Sequence, residues 1–281
     1  MSKLLCDKDS GDAIIVKVGD TEIGSKKKVI ISGPCAVEDY DTMISIATQL
    51  KLYGVNILRG GAFKPRTSPY DFQGLGKEGL EILKAVREEV NIPVSTEIMD
   101  TRDVEEALNY IDVIQIGSRN MYNYSLLKEV GKLKTPIILK RGISATINEW
   151  INAAEYILRE GNENVILCER GIRTFETYTR NTLDLNAVAF VKTNYRLPII
   201  VDPSHGTGLR ELVHPMSLAS IAAGADGLII ESHINPDLSI SDANQTISIN
   251  TLSDIINDIK RLNWRENLSG YKDIKSQGTH S

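Results

Sequence analysis

The chain has 281 residues, a formal net charge of −5 and 25% charged residues, which are typical values for a soluble globular protein. The slight acidity offers no basic surface for nucleic acid, and the absence of any run of ~18 apolar residues excludes a membrane span. Cys6, Cys35 and Cys168 are too few for a disulfide framework and fit a reducing compartment. No signal peptide is recognisable, so we expect a cytoplasmic protein.

Eight short apolar runs, rich in β-branched residues, predict strands that are buried on both faces. They cover residues 29–32, 55–58, 92–96, 113–117, 136–140, 165–168, 198–202 and 227–231. Apolar residues at a helical period predict helices over 39–53, 77–90, 101–110, 123–131, 146–159, 180–194, 215–223 and 241–262. This alternation predicts an α/β fold, the closed (β/α)₈ or TIM barrel, with an open doubly wound sheet as the alternative.

Two flanking segments lie outside this repeat. Residues 1–28 alternate apolar and polar side chains around Gly19-Asp20, which predicts a short N-terminal β-hairpin that closes the bottom of the barrel. We expect the catalytic barrel over residues 29–264 and a frayed polar tail over 265–281. The leader is too short to form a domain of its own.

Charged side chains collect where the predicted strands end, which is where a (β/α)₈ barrel carries its functional residues. Six cations follow strand ends in this acidic chain: Arg59, Lys64, Arg66, Arg119, Lys140 and Arg170. Any one of them could be a solvated surface charge. Six on one rim indicate a site for more than one anionic group, because guanidinium groups bind phosphate and carboxylate in a bidentate manner.

A second set of strand-end residues combines one thiol, one imidazole and two carboxylates. It consists of Cys35, His205, Glu231 and Asp242. Strands one and eight are neighbours in a closed barrel, so these positions converge. Taken singly, Cys35 fits a small buried apolar residue and Asp242 a helix cap, but the joint set is suited to a borderline divalent metal ion.

The strand-end motifs, taken in order, resemble those of the 3-deoxy-D-arabino-heptulosonate 7-phosphate (DAHP) synthases, in their compact type Iβ branch. The motifs are GPCAVE, LRGGAFKPRTSPY, STEIMD, QIGSRNM, ILKRG, CERGI, DPSHGTG, ADGLIIE and SDANQ, and they span about residues 28–250. The related 3-deoxy-D-manno-octulosonate 8-phosphate synthases share the barrel but typically carry an Asn-Arg-Ser motif in place of KPRTS. The KPRTS stretch therefore favours a DAHP synthase.

This resemblance implies an aldol-like condensation of phosphoenolpyruvate with D-erythrose 4-phosphate, which yields DAHP and phosphate. That reaction opens the shikimate pathway to chorismate and the aromatic amino acids. By the family pattern, the phosphoenolpyruvate site comprises Arg59, Gly117, Ser118, Arg119, Lys140 and Arg170. The erythrose 4-phosphate site comprises Lys64, Pro65, Arg66 and Thr67. The expected catalytic residues are Cys35, Lys64, Glu97, Lys140 and His205, with Glu97 orienting the attacking water and Lys64 a candidate proton donor.

The resemblance also implies one divalent metal ion, such as Mn, Fe, Co or Zn, held by the set that contains Cys35. Metal-free octulosonate synthases have Asn at this position, so Cys35 indicates metal dependence. Ser118, where the family commonly has Ala, and Ser232 and Ile234, where Val and Pro are common, depart from the pattern beside the site. The family forms dimers and tetramers, and we expect a homo-oligomer without an appended regulatory domain and insensitive to Phe, Tyr and Trp.

Three other functions stay open at this point. An octulosonate 8-phosphate synthase would differ only in using arabinose 5-phosphate as acceptor. A non-catalytic anion-binding barrel would lack the metal set, all of which is present here. A Schiff-base aldolase on the same fold would use Lys140 or Lys64 as its nucleophile.

Overall fold

The computed structural model describes residues 3–66 and 68–262. The chain begins with a two-stranded antiparallel sheet of β1 (Val16–Val18) and β2 (Thr21–Ile23), with Val18 paired to Thr21. The turn between them contains Gly19 at a φ of 54°, a left-handed conformation that glycine adopts without steric cost. The predicted hairpin is confirmed.

Eight parallel strands follow and close into a barrel. They are β3 (Val29–Gly33), β4 (Ile57–Arg59), β5 (Val94–Glu97), β6 (Val113–Ile116), β7 (Ile137–Lys140), β8 (Val165–Glu169), β9 (Ile199–Val201) and β10 (Gly227–His233). Each strand pairs in parallel with the next, and β10 pairs with both β9 and β3. This closure confirms the TIM barrel and excludes the open sheet.

Helices cover the outside of the barrel. They are α1 (Tyr40–Leu52), α2 (Lys77–Val90), α3 (Thr101–Ala107), α4 (Tyr124–Gly131), α5 (Ile147–Arg159), α6 (Leu185–Asn194), α7 (Pro203–Thr207), α8 (Arg210–Ala222) and α9 (Ile249–Arg261). Side-chain caps define several of their starts. The Asp39 carboxylate accepts from the Thr42 backbone N–H, and Thr146 and Glu149 form a reciprocal capping box.

Three predicted helix starts differ from the structure. The helix predicted from residue 180 begins at Leu185, because a bridge between Ile172 and Thr182 holds the preceding residues in a loop. The helix predicted from residue 215 begins at Arg210 and contains Pro215. The last helix begins at Ile249 rather than residue 241, because β11 (Ile247–Ser248) first pairs with β10.

The short helix α7 is absent from the sequence prediction. It follows β9 directly, with Asp202 as its cap and a proline in its first turn, so it reads in sequence as a loop. Within the described residues, no helix combines the length and hydrophobicity needed to cross a membrane. The predicted tail, residues 265–281, and Thr67 lie outside the described residues.

The hairpin lies at the end of the barrel where the strands begin. Its glycines lie next to Pro93 and Pro198, the residues that immediately precede β5 and β9. Its buried side chains form one apolar cluster with inward-facing strand residues: Val16, Val18, Ile23, Val29, Ile31, Ile57, Val113, Ile138, Ile166, Cys168, Ile200 and Ile229. The opposite end, where the strands finish, is left open for a site.

A candidate anion and metal site at the C-terminal end of the barrel

A polar pocket opens where the strands end. All six cations predicted from the sequence line it, together with two arginines that the sequence reasoning did not select: Arg59, Lys64, Arg66, Arg119, Lys140, Arg170, Arg173 and Arg180. Pro65, Gly117 and Ser118 also line the pocket. The structure therefore brings the described residues of both expected substrate sites to one place.

Four of these cations are buried, namely Arg59, Lys64, Lys140 and Arg170. A buried charge is costly unless it is paired. Arg59 and Lys140 are paired with carboxylates, and Lys64 contacts the thiol and carbonyl of Cys35. Arg170 has neither kind of partner within the described residues, since its one hydrogen bond runs to the Gly171 carbonyl at 3.4 Å. Burial lowers the pKa of Arg170. A buried guanidinium without a carboxylate partner is suited to an anion supplied by a ligand.

Three of the four expected metal ligands form a compact cluster beside the pocket. The ligand atoms of Cys35, Glu231 and Asp242 all lie within 4.8 Å of one another. Asp242 has a φ of 54°, which is uncommon for a residue with a side chain and typical of functional positions. His205 stands next to the cluster, with its Nε2 atom 3.5 Å from the Glu231 Oε1 atom. Thiolate, imidazole and carboxylate donors fit a borderline divalent ion.

The cluster is embedded in positive charge from the pocket. Lys64 Nζ lies 2.8 Å from Cys35 Sγ, and Arg59 Nη1 lies 2.8 Å from Glu231 Oε1. Burial, followed by the charge of Glu231, raises the pKa of Cys35 to about 12. Burial alone would also raise the pKa of Glu231, but the charges of His205 and Arg59 outweigh it and hold that pKa below its usual range. Metal binding at Cys35 therefore requires loss of the thiol proton.

Two polar residues that the sequence reasoning missed hold the ligands in place. Gln245 donates from Nε2 to Glu231 Oε2 at 2.6 Å, and Arg180 in turn donates to Gln245 Oε1 at 2.9 Å. Asp202 accepts the backbone N–H of His205 at 2.9 Å and contacts His205 Nδ1 at 2.8 Å. Asp202 precedes His205 by three residues in the DPSH segment, so this motif could have indicated Asp202 as a residue of the site. No sequence motif indicated Arg180 as a site residue, because it lay inside a predicted helix.

Glu97 lines the pocket together with Gln115 and Gly117. Gln115 donates to its Oε2 atom at 3.3 Å. A Cβ added at Gly117 would lie 2.0 Å from Glu97 Oε1, so a larger residue at this position would displace the Glu97 carboxylate. Within the described residues the buried Oε1 atom has no hydrogen-bond partner. One oxygen of the carboxylate is thus held by Gln115, and the other lies buried against Gly117.

Some other charged and nucleophilic residues lie outside the site. Arg141 is buried in ion pairs with Glu169 at 3.0 Å and Asp184 at 2.9 Å, which satisfies its charge within the protein. Cys6 and Cys168 are buried, and burial raises the pKa of each thiol. The metal cluster found among the described residues contains neither cysteine.

The chain is similar to known proteins over most of its length. The model of the DAHP synthetase I family matches residues 12–265. The phospho-2-dehydro-3-deoxyheptonate aldolase of Thermotoga maritima is 46% identical over 248 residues, covering 88% of this chain and 73% of its own length. A 2-dehydro-3-deoxyphosphooctonate aldolase of Francisella tularensis is 29% identical over 266 residues, covering 88% of this chain and 96% of its own length.

Solved structures give the same result. The crystal structure of the Thermotoga maritima DAHP synthase superposes with a TM-score of 0.89 at 44% identity, covering 92% of this chain and 76% of that one. A truncated form of that enzyme superposes with a TM-score of 0.85 at 40% identity, covering 92% and 95%. The matched segment includes every strand end that contributes to the pocket and the metal cluster, and the chain belongs to the DAHP synthetase I family.

Proposed function

We propose that the chain is a metal-dependent DAHP synthase that condenses phosphoenolpyruvate with D-erythrose 4-phosphate to give DAHP and phosphate. The observation that carries this proposal is the contact between a cation-lined pocket and a thiol–carboxylate cluster at one end of the barrel. Two phosphates and a carboxylate repel one another, and only a pocket with several cations can hold them together. The higher identity to the heptonate than to the octonate enzyme supports the choice of acceptor.

The phosphoenolpyruvate subsite lies around the unpaired guanidinium. In the proposal, Arg119, Lys140 and Arg170 bind the phosphate, and Arg59 binds the carboxylate. Arg170 supports this assignment because its buried charge has no carboxylate partner in the described part of the chain. The backbone at Gly117 and Ser118 lines the same wall of the pocket.

The erythrose 4-phosphate subsite comprises the KPRTS segment after β4. Lys64, Pro65 and Arg66 line the pocket, and Thr67, the remaining expected contact, lies outside the described residues. Arg66 donates from Nε to the Phe72 carbonyl at 3.1 Å, which fixes the guanidinium against its own loop. We assign the acceptor's phosphate to this cation.

One divalent ion, such as Mn, Fe, Co or Zn, would be held by Cys35, His205, Glu231 and Asp242. When bound, it supplies a Lewis acid or template for the acceptor's aldehyde oxygen. The ligand set fits because it offers the sulfur, nitrogen and oxygen donors that a borderline ion accepts. Which of these metals is used depends on availability as well as on affinity.

The protein's own residues position the reacting atoms. C3 of phosphoenolpyruvate attacks the aldehyde carbon, water adds at C2, and phosphate leaves by cleavage of its C–O bond. Glu97, which lines the pocket, orients the water, and Lys64 is the proton donor to the oxygen formed from the aldehyde. Lys140 lies beside Asp202 and compensates the phosphate charge.

A phosphate-release assay with erythrose 4-phosphate and arabinose 5-phosphate in parallel, with and without a chelator, tests this proposal. We expect turnover with erythrose 4-phosphate that is lost with the chelator and restored by a divalent metal. Faster turnover with arabinose 5-phosphate would assign the octulosonate reaction instead. Borohydride trapping of a substrate adduct on Lys140, with turnover that resists the chelator, would assign a Schiff-base aldolase.

We also propose that the enzyme works in the cytoplasm as a homodimer or homotetramer. Nothing in the described residues provides a membrane-spanning helix. Light scattering coupled to size-exclusion chromatography measures the assembly, and a monomer at working concentration would contradict it. Activity measured with ~0.1 mM Phe, Tyr or Trp tests the expected insensitivity to these amino acids.

A further inference from the structure

A single buried carboxylate oxygen lies between the substrate half and the metal half of the site. Asp202 follows the last residue of β9 and is 1% exposed. Its Oδ2 atom receives Lys140 Nζ at 2.5 Å and contacts His205 Nδ1 at 2.8 Å. Its Oδ1 atom accepts the His205 backbone N–H at 2.9 Å. Both oxygens of the carboxylate therefore have hydrogen-bond partners, which are Lys140 in the substrate half and His205 in the metal half.

The contact with Asp202 determines which nitrogen of His205 can bind a metal. A carboxylate at Nδ1 stabilises the tautomer that carries its proton there, which leaves the lone pair on Nε2. Nε2 is the nitrogen that lies 3.5 Å from Glu231, beside the metal cluster. Replacing the carboxylate by an amide would allow the opposite tautomer, whose Nε2–H cannot ligate a metal.

The contact with Lys140 holds a pocket cation in place. An ammonium group has three N–H bonds, and Lys140 gives one to Asp202. The remaining bonds are available to an anion in the pocket that Lys140 lines. An anion that draws the ammonium toward itself weakens its bond to Oδ2, and the same oxygen then interacts more strongly with His205 Nδ1–H. A stronger acceptor at Nδ1 makes the imidazole a better metal ligand.

We propose that Asp202 is a positioning residue that couples metal binding to phosphoenolpyruvate binding, so that each ligand increases the affinity for the other. Reciprocity follows from thermodynamic linkage between two sites. The inference rests on the proposed function, because it takes its two ligands from that reaction. It adds a residue that touches neither ligand and acts through Lys140 and His205.

The test measures Co²⁺ affinity by equilibrium dialysis and by the visible absorption of the bound ion, without erythrose 4-phosphate. In the wild type we expect phosphoenolpyruvate to raise the Co²⁺ affinity about 5-fold or more. In Asp202→Asn we expect Co²⁺ affinity to fall by ~10- to 100-fold, and the effect of phosphoenolpyruvate on it to be largely lost. Phosphoenolpyruvate affinity measured without metal should also fall, because Lys140 loses its anchor.

Asp226 provides a matched control at the other end of the barrel. It is 3% exposed, receives Lys192 Nζ at 2.8 Å and accepts the Ile199 backbone N–H at 2.9 Å. Asp226→Asn thus removes an equally buried lysine-paired carboxylate, and it should lower stability while leaving Co²⁺ affinity and coupling intact. If phosphoenolpyruvate raises the Co²⁺ affinity of Asp202→Asn as much as that of the wild type, the proposal is overturned. Direct attraction between the two ligands would then explain the coupling.

Folding of the variant does not limit the test. If Asp202→Asn does not fold, Asp202→Glu keeps the carboxylate but displaces its oxygen, and we expect a smaller loss of coupling than for a neutral side chain. Equal Co²⁺ affinity with and without phosphoenolpyruvate in the wild type overturns the proposal without any variant, and leaves the proposed function standing. Coupling that is present in the wild type and lost in Asp202→Asn supports the proposed coupling role of Asp202, even if the protein forms no DAHP.

Discussion

The two ends of the barrel are built from the same eight strands and differ in almost every other respect. Where the strands begin, the hairpin places Val16, Val18 and Ile23 against apolar strand residues. Where they end, buried cations such as Arg59 and Lys140 lie against carboxylates. The difference shows that stability and chemistry are separated along the barrel axis in this protein.

The separation has an energetic reason. Burying an apolar side chain stabilises the fold by ~1.5–3 kcal/mol, whereas removing paired charges from water costs about as much as their attraction returns. The open end therefore adds little to stability while it keeps charges in place for a ligand. Substitutions at the two ends should separate stability from activity, and the four predictions below test this.

The largest effect is expected at the metal cluster. Cys35→Ala removes the sulfur donor, and we expect metal-supported turnover to fall by more than ~1000-fold with little change in the melting temperature. The matched control is Cys168→Ala, a buried cysteine in the inner barrel cluster, which should keep its activity. Turnover and Co²⁺ absorption are measured on both. Full activity in Cys35→Ala would remove Cys35 from the ligand set.

The closed end should show the opposite behaviour. Ile23→Ala leaves a cavity in the cluster beneath the barrel, and we expect the free energy of unfolding to fall by ~2–5 kcal/mol. Turnover of the folded protein should stay unchanged. Urea unfolding and steady-state kinetics measure the two quantities, with Leu52→Ala, at an 80% exposed position, as the control with almost no effect. An equal loss of turnover would show that the two ends are not independent.

Arg170 and Arg141 are both buried at the open end, but we expect Arg170 to bind a ligand and Arg141 to stabilise the fold. Truncating Arg170, which lacks a carboxylate partner among the described residues, should raise the KM for phosphoenolpyruvate by ~100-fold, because the phosphate then loses a buried cation. Arg141→Gln should instead lower stability, since it leaves Glu169 and Asp184 without their cation. Kinetics and thermal unfolding are measured on both variants. If the two arginines exchanged these effects, the assignment of the phosphate subsite would be wrong.

Much of this contrast could be predicted from the sequence. Short β-branched runs at regular spacing predicted the strands, and the residues just after them were the ones that line the pocket, such as Arg59, Lys140 and Arg170. A strand end is a local feature of sequence, and parallel strands bring all such ends to one rim. The fold and the identity of the charged residues were therefore accessible before the structure.

The residues that these charged side chains contact could not be predicted from the sequence. Whether Arg59 meets a substrate carboxylate or Glu231 depends on side-chain directions in three dimensions, which no spacing encodes. Asp202 and Gln245 belong to recognisable motifs, but the sequence does not show that their side chains contact Lys140 and Glu231, which lie in other segments. The helix prediction over residues 180–184 failed because a bridge between Ile172 and Thr182 overrides the local periodicity there.

The smallest effect tests one of these hidden partners. Gln245→Met removes the amide that donates to Glu231 Oε2 but keeps the length of the side chain. We expect Co²⁺ affinity to fall by about 10-fold, because residues that orient a metal ligand typically contribute this much. Gln49→Met, at an exposed position on α1, is the matched control. Unchanged Co²⁺ affinity in a folded Gln245→Met would mean that the Gln245 amide is not needed to orient Glu231, and that the contacts of Glu231 with Arg59 and His205 suffice.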